Sequence, residues 1–153
     1  MSSQVGIFVA TMTGLAEMCA EEVERALNPL GISAEIRLMD GLTAGAVDAY
    51  ATLVIVSSTH GQGDIPDNGQ AFFGALESGR SLFEKSYTVF ALGDRTYADT
   101  FCQAGEKWDA MLAAKGASRI APLERHDASG GTLAEDEAGA WADSWASQIE
   151  RAA

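Results

Sequence analysis

Three loop segments carry residue types that could bind a charged or planar ligand. The first is TMTGLAE, residues 11–17, which contains two threonines and a glycine and leads directly into a predicted helix. Free backbone N–H groups and the helix dipole at such a helix start favour a bound phosphate. Thr11 and Thr13 would add hydroxyl donors, and Gly14 would let the backbone approach closely. The alternative is that Thr13 only caps the helix, and the segment alone does not separate the two interpretations.

The second and third segments each follow a hydrophobic run. SSTHGQGDIPDN, residues 57–68, is long for a strand–helix connection, and Gly61 and Gly63 would let its backbone touch a flat ligand. GDRTYADTFCQAG, residues 93–105, contains a tyrosine, Tyr97, that could stack on an aromatic ring. Turn-rich surface loops are the simpler interpretation of both segments.

The chemistry of the three loops excludes two common kinds of nucleotide site. The first segment has no Gly-Lys-Ser/Thr motif of an ATPase, and one glycine where a dinucleotide fingerprint has three. The loops and their flanks contain one base, Arg95, and the acids Glu17, Asp64, Asp67, Asp94 and Asp99. A phosphate bound here would depend on neutral donors, whereas most nucleotide-triphosphate enzymes use lysine or a metal clamp.

The elements that must position these loops alternate along the chain. Continuous apolar runs at residues 5–10, 53–56 and 88–92 predict buried strands, and mixed runs at 34–39 and 119–124 predict edge strands. A helix is predicted after the first strand, with Leu15, Met18, Cys19, Val23, Ala26, Leu27 and Leu30 on one face, and further helices are predicted over 68–79, over 102–115 and from about residue 133 to the end.

Strands that alternate with helices pair in parallel and have both faces covered, so the predicted fold is an α/β three-layer sandwich with a five-stranded sheet. The order 2-1-3-4-5 places the two mixed strands outside, and we prefer it to a Rossmann order, which would bury strand two. In such an open sheet, ligands bind at the carboxyl ends of the strands, near the switch point between strands one and three. The three loops would meet at that edge.

Composition and charge narrow the class of protein. With 153 residues and no repeat or linker, we expect one domain over residues 1–153. The formal net charge of −12 argues against nucleic-acid binding and favours a basic partner. The only cysteines, Cys19 and Cys102, make neither a disulfide framework nor a metal site, so a reducing cytoplasm is expected. No apolar stretch is long enough to span a membrane.

Taken together, the three loops resemble those of the flavodoxin family, and the resemblance covers essentially the whole chain. Residues 11–17 match the family's S/T-x-T-G-x-A-E phosphate loop. STHGQGDIPDN is similar to the S-T-x-G-x-G-D-x-P-D-N loop of flavodoxin-like domains in sulfite reductase and cytochrome P450 reductase, and ALGDRTYADTFCQAG resembles the third flavin-contacting loop. A fifth strand without a splitting insertion is typical of short-chain flavodoxins, and His60 with TFC, residues 100–102, is similar to the MioC type.

The resemblance implies a flavodoxin-like fold, one non-covalent FMN and transfer of single low-potential electrons, without catalytic residues or a metal. The implied partners are an NADPH-dependent flavodoxin or ferredoxin reductase and acceptor redox enzymes, and a monomer is expected. Residues 11–16 would hold the FMN phosphate, and residues 58–63 and 92–102 would lie on the two sides of the isoalloxazine. The implied cofactor-binding residues are Thr11, Met12, Thr13, Gly14, Leu15, Ala16, Ser58, Thr59, His60, Gly61, Gln62, Gly63, Leu92, Gly93, Asp94, Tyr97, Thr100, Phe101 and Cys102.

One residue departs from the family pattern. Diflavin reductases place tyrosine where this chain has His60, which would titrate near neutral pH and couple protonation to flavin reduction. His126 follows the predicted fifth strand and is expected to lie farther from the ring.

Two other functions stay open. An FMN-dependent NAD(P)H:quinone reductase would need a nicotinamide pocket and basic residues for the NADPH phosphate, and Arg95 is the one base in these loops. A flavin-free binding module on the same fold is the third possibility.

Overall fold

The computed structural model describes residues 5–11, 14–59, 63–94 and 102–149. Its strands are β1 (Val5–Ala10), β2 (Ala34–Leu38), β3 (Thr52–Ser57), β4 (Ser86–Gly93), β5 (Ser118–Arg119) and β6 (Glu124–Asp127). Its α-helices are α1 (Leu15–Leu27), α2 (Asp67–Glu77), α3 (Gln103–Ala114) and α4 (Ala134–Trp145). Short 3₁₀ helices cover Asn28–Leu30, Ala44–Ala49, Ala128–Gly130 and Ala146–Gln148.

The sheet has the predicted order β2-β1-β3-β4-β5, and its strand pairs are parallel. Every residue of β1 and β3 is buried, as is the interior of β4, whereas the edge strand β2 has exposed residues. This distribution is the one that continuous and mixed apolar runs predict. The chain reverses its winding direction between β1 and β3, so the switch point also lies where it was predicted.

The fifth position of the sheet differs from the prediction of one strand over residues 119–124. Two short strands occupy it, since β5 pairs with the start of β4 and β6 pairs with its end. The intervening residues 120–123 include Pro122, which has no N–H to donate to a strand ladder. The strand that reaches the carboxyl edge is therefore the polar sequence ERHD, which its hydropathy did not mark as a strand.

Two hydrophobic cores flank the sheet. On one face α1 and α4 cover it, and the Phe90 and Trp141 rings lie 5.3 Å apart. On the other face α2 and α3 cover it, with the rings of Phe8 and Phe72 stacked at 5.3 Å. The first three predicted helices are confirmed to within a few residues, but Met18, expected on the buried face of α1, is 47% exposed. The fourth was expected to run from about residue 133 to the end, but α4 ends at Trp145 and a 3₁₀ helix follows it, and residues 150–153 lie outside the described residues. Among the described helices, none has the length and apolar character needed to cross a membrane.

Candidate functional site

The three predicted loops leave the sheet side by side. Ala10 at the end of β1 is in register with Ser57 at the end of β3, and Ser57 is in register with Ala91 near the end of β4. The Ser58 N–H donates to the Ala10 carbonyl at 2.9 Å, which fixes the start of the second loop against the first. Lys107 Nζ lies 3.7 Å from Asp64 Oδ1, so α3 also contacts the second loop. The sheet therefore assembles one edge from residues far apart in sequence.

Thr11 closes a turn at the start of the first loop. Its N–H donates to Asn68 Oδ1 at 3.0 Å, and its Oγ1 accepts the Gly14 N–H at 2.9 Å. Gly14 has φ of 92°, a left-handed conformation that glycine adopts without steric cost. A hydroxyl oxygen accepts and donates at once, and no acceptor for the Thr11 proton is seen among the described residues, so this proton could be donated to a ligand.

The first turn of α1 presents backbone donors at this edge. Its N-cap position is occupied by Gly14, and no described side chain caps it. The first intrahelical bond runs from the Met18 N–H to the Gly14 carbonyl, at 3.2 Å. The N–H groups of Leu15 and Ala16 precede that bond and have no intrahelical acceptor, which is the arrangement that attracts an anion.

The described part of the second loop contains one buried hydroxyl without a partner. Ser58 and Thr59 are half-buried, and Thr59 Oγ1 has no hydrogen-bond partner among the described residues. A buried, unpaired hydroxyl is costly, so a polar ligand atom would stabilise it. Gly63 is buried with φ of 93°, and a Cβ there would lie 2.0 Å from Gln103 Oε1. Gly63 thus allows the second loop to pack closely on the start of α3.

The two ends of the third loop are in contact with each other. A Cβ on Gly93 would lie 2.6 Å from the Cys102 backbone nitrogen. The Cys102 thiol is buried, and its single S–H proton is shared between the carbonyl oxygens of Ala91 and His126, which lie 3.5 and 3.7 Å from Sγ. Burial raises its pKa to about 12, so the group is a neutral donor that packs the loop base. Leu92 is buried, and Asp94 is half-buried.

Two residues at this edge were missed or misplaced by the sequence argument. Asn68 was quoted as the end of a motif and given no role, although it holds Thr11. His126 was expected to follow the fifth strand, yet it is in β6 and pairs in register with Leu92, while its greater distance from the ring stays a prediction. Its ring is buried, and its Nδ1 lies 2.7 Å from Glu137 Oε1. The burial of His126 follows from the break in the fifth strand, which hydropathy did not indicate.

The structure brings eleven of the predicted site residues to this edge, namely Thr11, Gly14, Leu15, Ala16, Ser58, Thr59, Gly63, Leu92, Gly93, Asp94 and Cys102. The other eight, Met12, Thr13, His60, Gly61, Gln62, Tyr97, Thr100 and Phe101, lie outside the described residues. For all nineteen residues, the placement around a ligand stays a prediction.

Comparison with known proteins gives a consistent result over nearly the full chain. The family model described as Flavodoxin matches residues 7–141. Flavodoxin YqcA of Escherichia coli K12 is 34% identical over 148 residues, which are 94% of this chain and 96% of the relative. Protein MioC of the same organism is 30% identical over 149 residues, covering 97% and 99% of the two chains. A flavodoxin from Pseudomonas aeruginosa, solved as a cysteine-to-alanine mutant, superposes with a TM-score of 0.87 at 28% identity and covers 95% of this chain and 98% of its own.

Proposed function

The chain belongs to the flavodoxin family, and from this premise we propose that it binds one non-covalent FMN and carries single low-potential electrons. Flavodoxins are electron-transfer flavoproteins, which accounts for the class of function. The observation that supports the site is the first turn of α1, whose leading N–H groups have no intrahelical acceptor. The Thr11–Gly14 turn directly precedes it. A neutral site of this kind suits a phosphate that is held by N–H and hydroxyl donors.

The described residues fit such a cofactor at two further points. The buried Thr59 hydroxyl lacks a protein partner among these residues, as a group that binds a polar ring atom would. Residues 11–17 contain no lysine or arginine, which is consistent with a phosphate held by the backbone. When bound, FMN supplies a ring that accepts and releases electrons one at a time.

Each loop has a role in this proposal. The N–H groups of Leu15 and Ala16, with the Thr11 hydroxyl, would hold the phosphate, and Met12 and Thr13 would complete the loop. Residues 58–63 would lie along one side of the ring and residues 92–102 along the other, with Tyr97 stacked on it. Carboxylates near the ring would oppose its negative charge on reduction, which favours a low potential.

We also propose that the electrons come from an NADPH-dependent flavodoxin or ferredoxin reductase and pass to acceptor redox enzymes. The net charge of −12 supports a basic docking face on these partners. The protein would act as one domain over residues 1–153, as a monomer in the cytoplasm. Its function requires no substrate pocket of its own, because the partner supplies the second reacting group.

A ligand titration tests the cofactor assignment. Apoprotein titrated with FMN, FAD and riboflavin should bind one FMN per chain with micromolar or tighter affinity, and FAD only weakly. A protein isolated with FAD, or without affinity for FMN, would contradict the proposal.

A second experiment tests the source of the electrons. NADPH alone should not reduce the holoprotein, whereas NADPH together with a flavodoxin reductase should reduce it. Rapid reduction by NADPH alone would instead favour a quinone reductase.

A further inference from the structure

One side chain connects three separate segments at the functional edge. Asn68, the second residue of α2, accepts the Thr11 N–H at Oδ1 and donates from Nδ2 to Asp40 Oδ1 at 2.8 Å. The same Nδ2 lies 3.4 Å from the Val9 carbonyl oxygen. These partners belong to the first loop, to the turn after β2 and to the end of β1. They are 57, 28 and 59 residues away from Asn68 in the chain.

The set of partners requires an amide of this length. Thr11 offers a donor, whereas Asp40 and Val9 offer acceptors, so the connecting group needs one acceptor and a nitrogen with two protons. Aspartate would have no donor, and serine would have only one proton. Glutamine is one methylene longer, and the α2 backbone could not move away from β1 to accommodate it. The adjacent Gly69 is buried, and a Cβ there would lie 3.0 Å from the Cβ of Ala10.

Asp40 determines which amide atom faces Thr11. An ionised carboxylate only accepts hydrogen bonds, so it requires the NH₂ group of Asn68 on its side. The Val9 carbonyl imposes the same requirement from the end of β1. The carbonyl oxygen of Asn68 is thereby directed to the Thr11 N–H. Asp40 thus helps to hold the Thr11 backbone in place although it does not contact Thr11 in these bonds.

The Thr11 backbone in turn connects Asn68 to the start of α1. With its N–H bonded to Asn68 and its Oγ1 bonded to the Gly14 N–H, both ends of the turn before α1 are held. Removal of Asn68 would leave the Thr11 N–H without this acceptor in a half-buried position. The donors of the first turn of α1 would then have to be ordered at the moment a phosphate binds, at a cost in affinity.

We propose that Asn68 is a positioning residue for the phosphate of the cofactor, acting through Thr11, and that Asp40 orients its amide. This inference rests on the proposed FMN site. It distinguishes Asn68 from a residue that only stabilises the fold, because its loss should weaken a phosphorylated flavin more than the same flavin without phosphate.

The primary test compares the affinities of apoprotein for FMN and for riboflavin. Asn68→Ala should weaken FMN about tenfold more than riboflavin, the effect of one buried donor left unpaired. Gln70→Ala is the matched control, since Gln70 is the next amide of the same helix turn and, within the described part of the chain, donates to the Ile65 carbonyl alone, at 3.0 Å. It should leave the ratio of the two affinities unchanged. Equal weakening of both ligands by Asn68→Ala would overturn the proposal.

A second set of variants serves if Asn68→Ala does not fold. Asn68→Asp alone places two carboxylates in contact and should lower the preference for FMN. The double variant Asn68→Asp with Asp40→Asn keeps the net charge and restores a donor–acceptor pair between the two side chains, so it should recover part of the lost preference. The recovery should be incomplete, because the Val9 carbonyl would face a carboxylate oxygen in place of the NH₂ group. Asp40→Asn alone should lower the preference, although less than Asn68→Asp does. An amide at position 40 can offer either its oxygen or its NH₂ group to Asn68, so it no longer fixes which amide atom faces Thr11. A marked rise in FMN preference with Asp40→Asn would show that the Asp40 carboxylate repels the phosphate and does not act by orienting Asn68.

The outcomes also separate this inference from the proposed function. If the wild-type apoprotein fails to bind FMN, the proposed function is wrong. If wild type binds FMN in preference to riboflavin and the Asn68 variants keep that preference, only the role of Asn68 is wrong.

Discussion

At the scale of single residues, the two thiols show how the fold controls reactivity. Cys19 and Cys102 are completely buried, and burial raises the pKa of each to about 12, because a thiolate there would lose its hydration. For Cys19 the carboxylates of Glu135, Glu137 and Glu22 raise the pKa further. Since the thiolate is the reactive form, neither residue is suited to redox or nucleophilic chemistry at neutral pH.

We expect both thiols to resist alkylation in the folded protein. At pH 8, iodoacetamide should leave the native chain unmodified over a period in which the urea-unfolded chain gains two adducts, as measured by mass spectrometry. Rapid modification of the native chain at either cysteine would show that the thiol is accessible.

The same thiols give a dependence of stability on alkaline pH. A group whose pKa is raised in the folded state contributes its full stabilisation below the ordinary value of 9.0, and this is lost as pH rises towards about 12. The free energy of unfolding should therefore fall between pH 9 and 12, and less steeply in Cys19→Ala than in wild type. Urea titrations at several pH values measure this difference. Parallel pH curves for the two proteins would contradict the prediction.

Thr13 is expected to bind the FMN phosphate directly. A hydrogen bond to a charged group is worth about 1.5–3 kcal/mol, so Thr13→Ala should weaken FMN roughly ten- to a hundredfold. Riboflavin affinity should change little, because riboflavin has no phosphate. Fluorescence titration of the apoprotein measures both. Equal weakening of the two ligands would make Thr13 a structural residue.

At the scale of elements, α3 packs on the sheet through a glycine. A Cβ on Gly105 would lie 2.3 Å from the Cβ of Ala91 in β4, and a strand residue cannot rotate away from such a contact. Gly74 in α2 is a matched control, since a Cβ there meets nothing within 4 Å among the described residues. Both glycines are inside helices, so both substitutions gain the same helix propensity.

Alanine at these two glycines should therefore have opposite effects. Gly74→Ala should raise the free energy of unfolding by about 0.5–1 kcal/mol through propensity alone. Gly105→Ala should lower it, because overpacking costs about 1–3 kcal/mol and exceeds that gain. Urea unfolding of the apoprotein measures both values. A stabilising Gly105→Ala would show that α3 moves away from β4 without cost.

Most elements could be predicted because their residues are uniform in character. The apolar runs of β1, β3 and β4 and the periodic helices fixed the layers and the strand order, and the flavodoxin resemblance is confirmed. The fifth strand could not be placed in the same way. Pro122 interrupts it, and the polar ERHD segment pairs with β4 only because the sheet presents unpaired backbone there.

The candidate site was predictable only as far as its loops. Loop composition indicated Thr11, Gly14 and the start of α1, since backbone donors and glycines depend on local sequence. The roles of Asn68 and His126 depend on tertiary contacts, with Thr11 and Asp40 for the first and with Glu137 for the second. Such contacts between distant segments leave no periodic signal in one sequence.

At the scale of the whole molecule, charge is expected to govern the encounter with redox partners. The net charge of −12 includes acids in the three loops, which would attract a basic reductase face to the exposed edge of the cofactor. Asp67 and Glu77 provide a comparison within one helix, because they are exposed acids at its two ends, about 15 Å apart. The Asp67 end lies at the functional edge, and the Glu77 end lies about two Debye lengths away at physiological salt.

The second-order rate of reduction by a flavodoxin reductase should therefore depend on the position of a charge as well as on its sign. At low ionic strength Asp67→Asn should slow the reaction more than Glu77→Gln, although each removes one negative charge. The difference should shrink as salt is raised to physiological strength, because screening weakens the attraction. Stopped-flow measurements at a series of salt concentrations test this on the holoproteins. Equal effects of the two variants would mean that net charge alone steers the partner. A wild-type rate that does not change with salt would mean that the acids serve solvation and not docking.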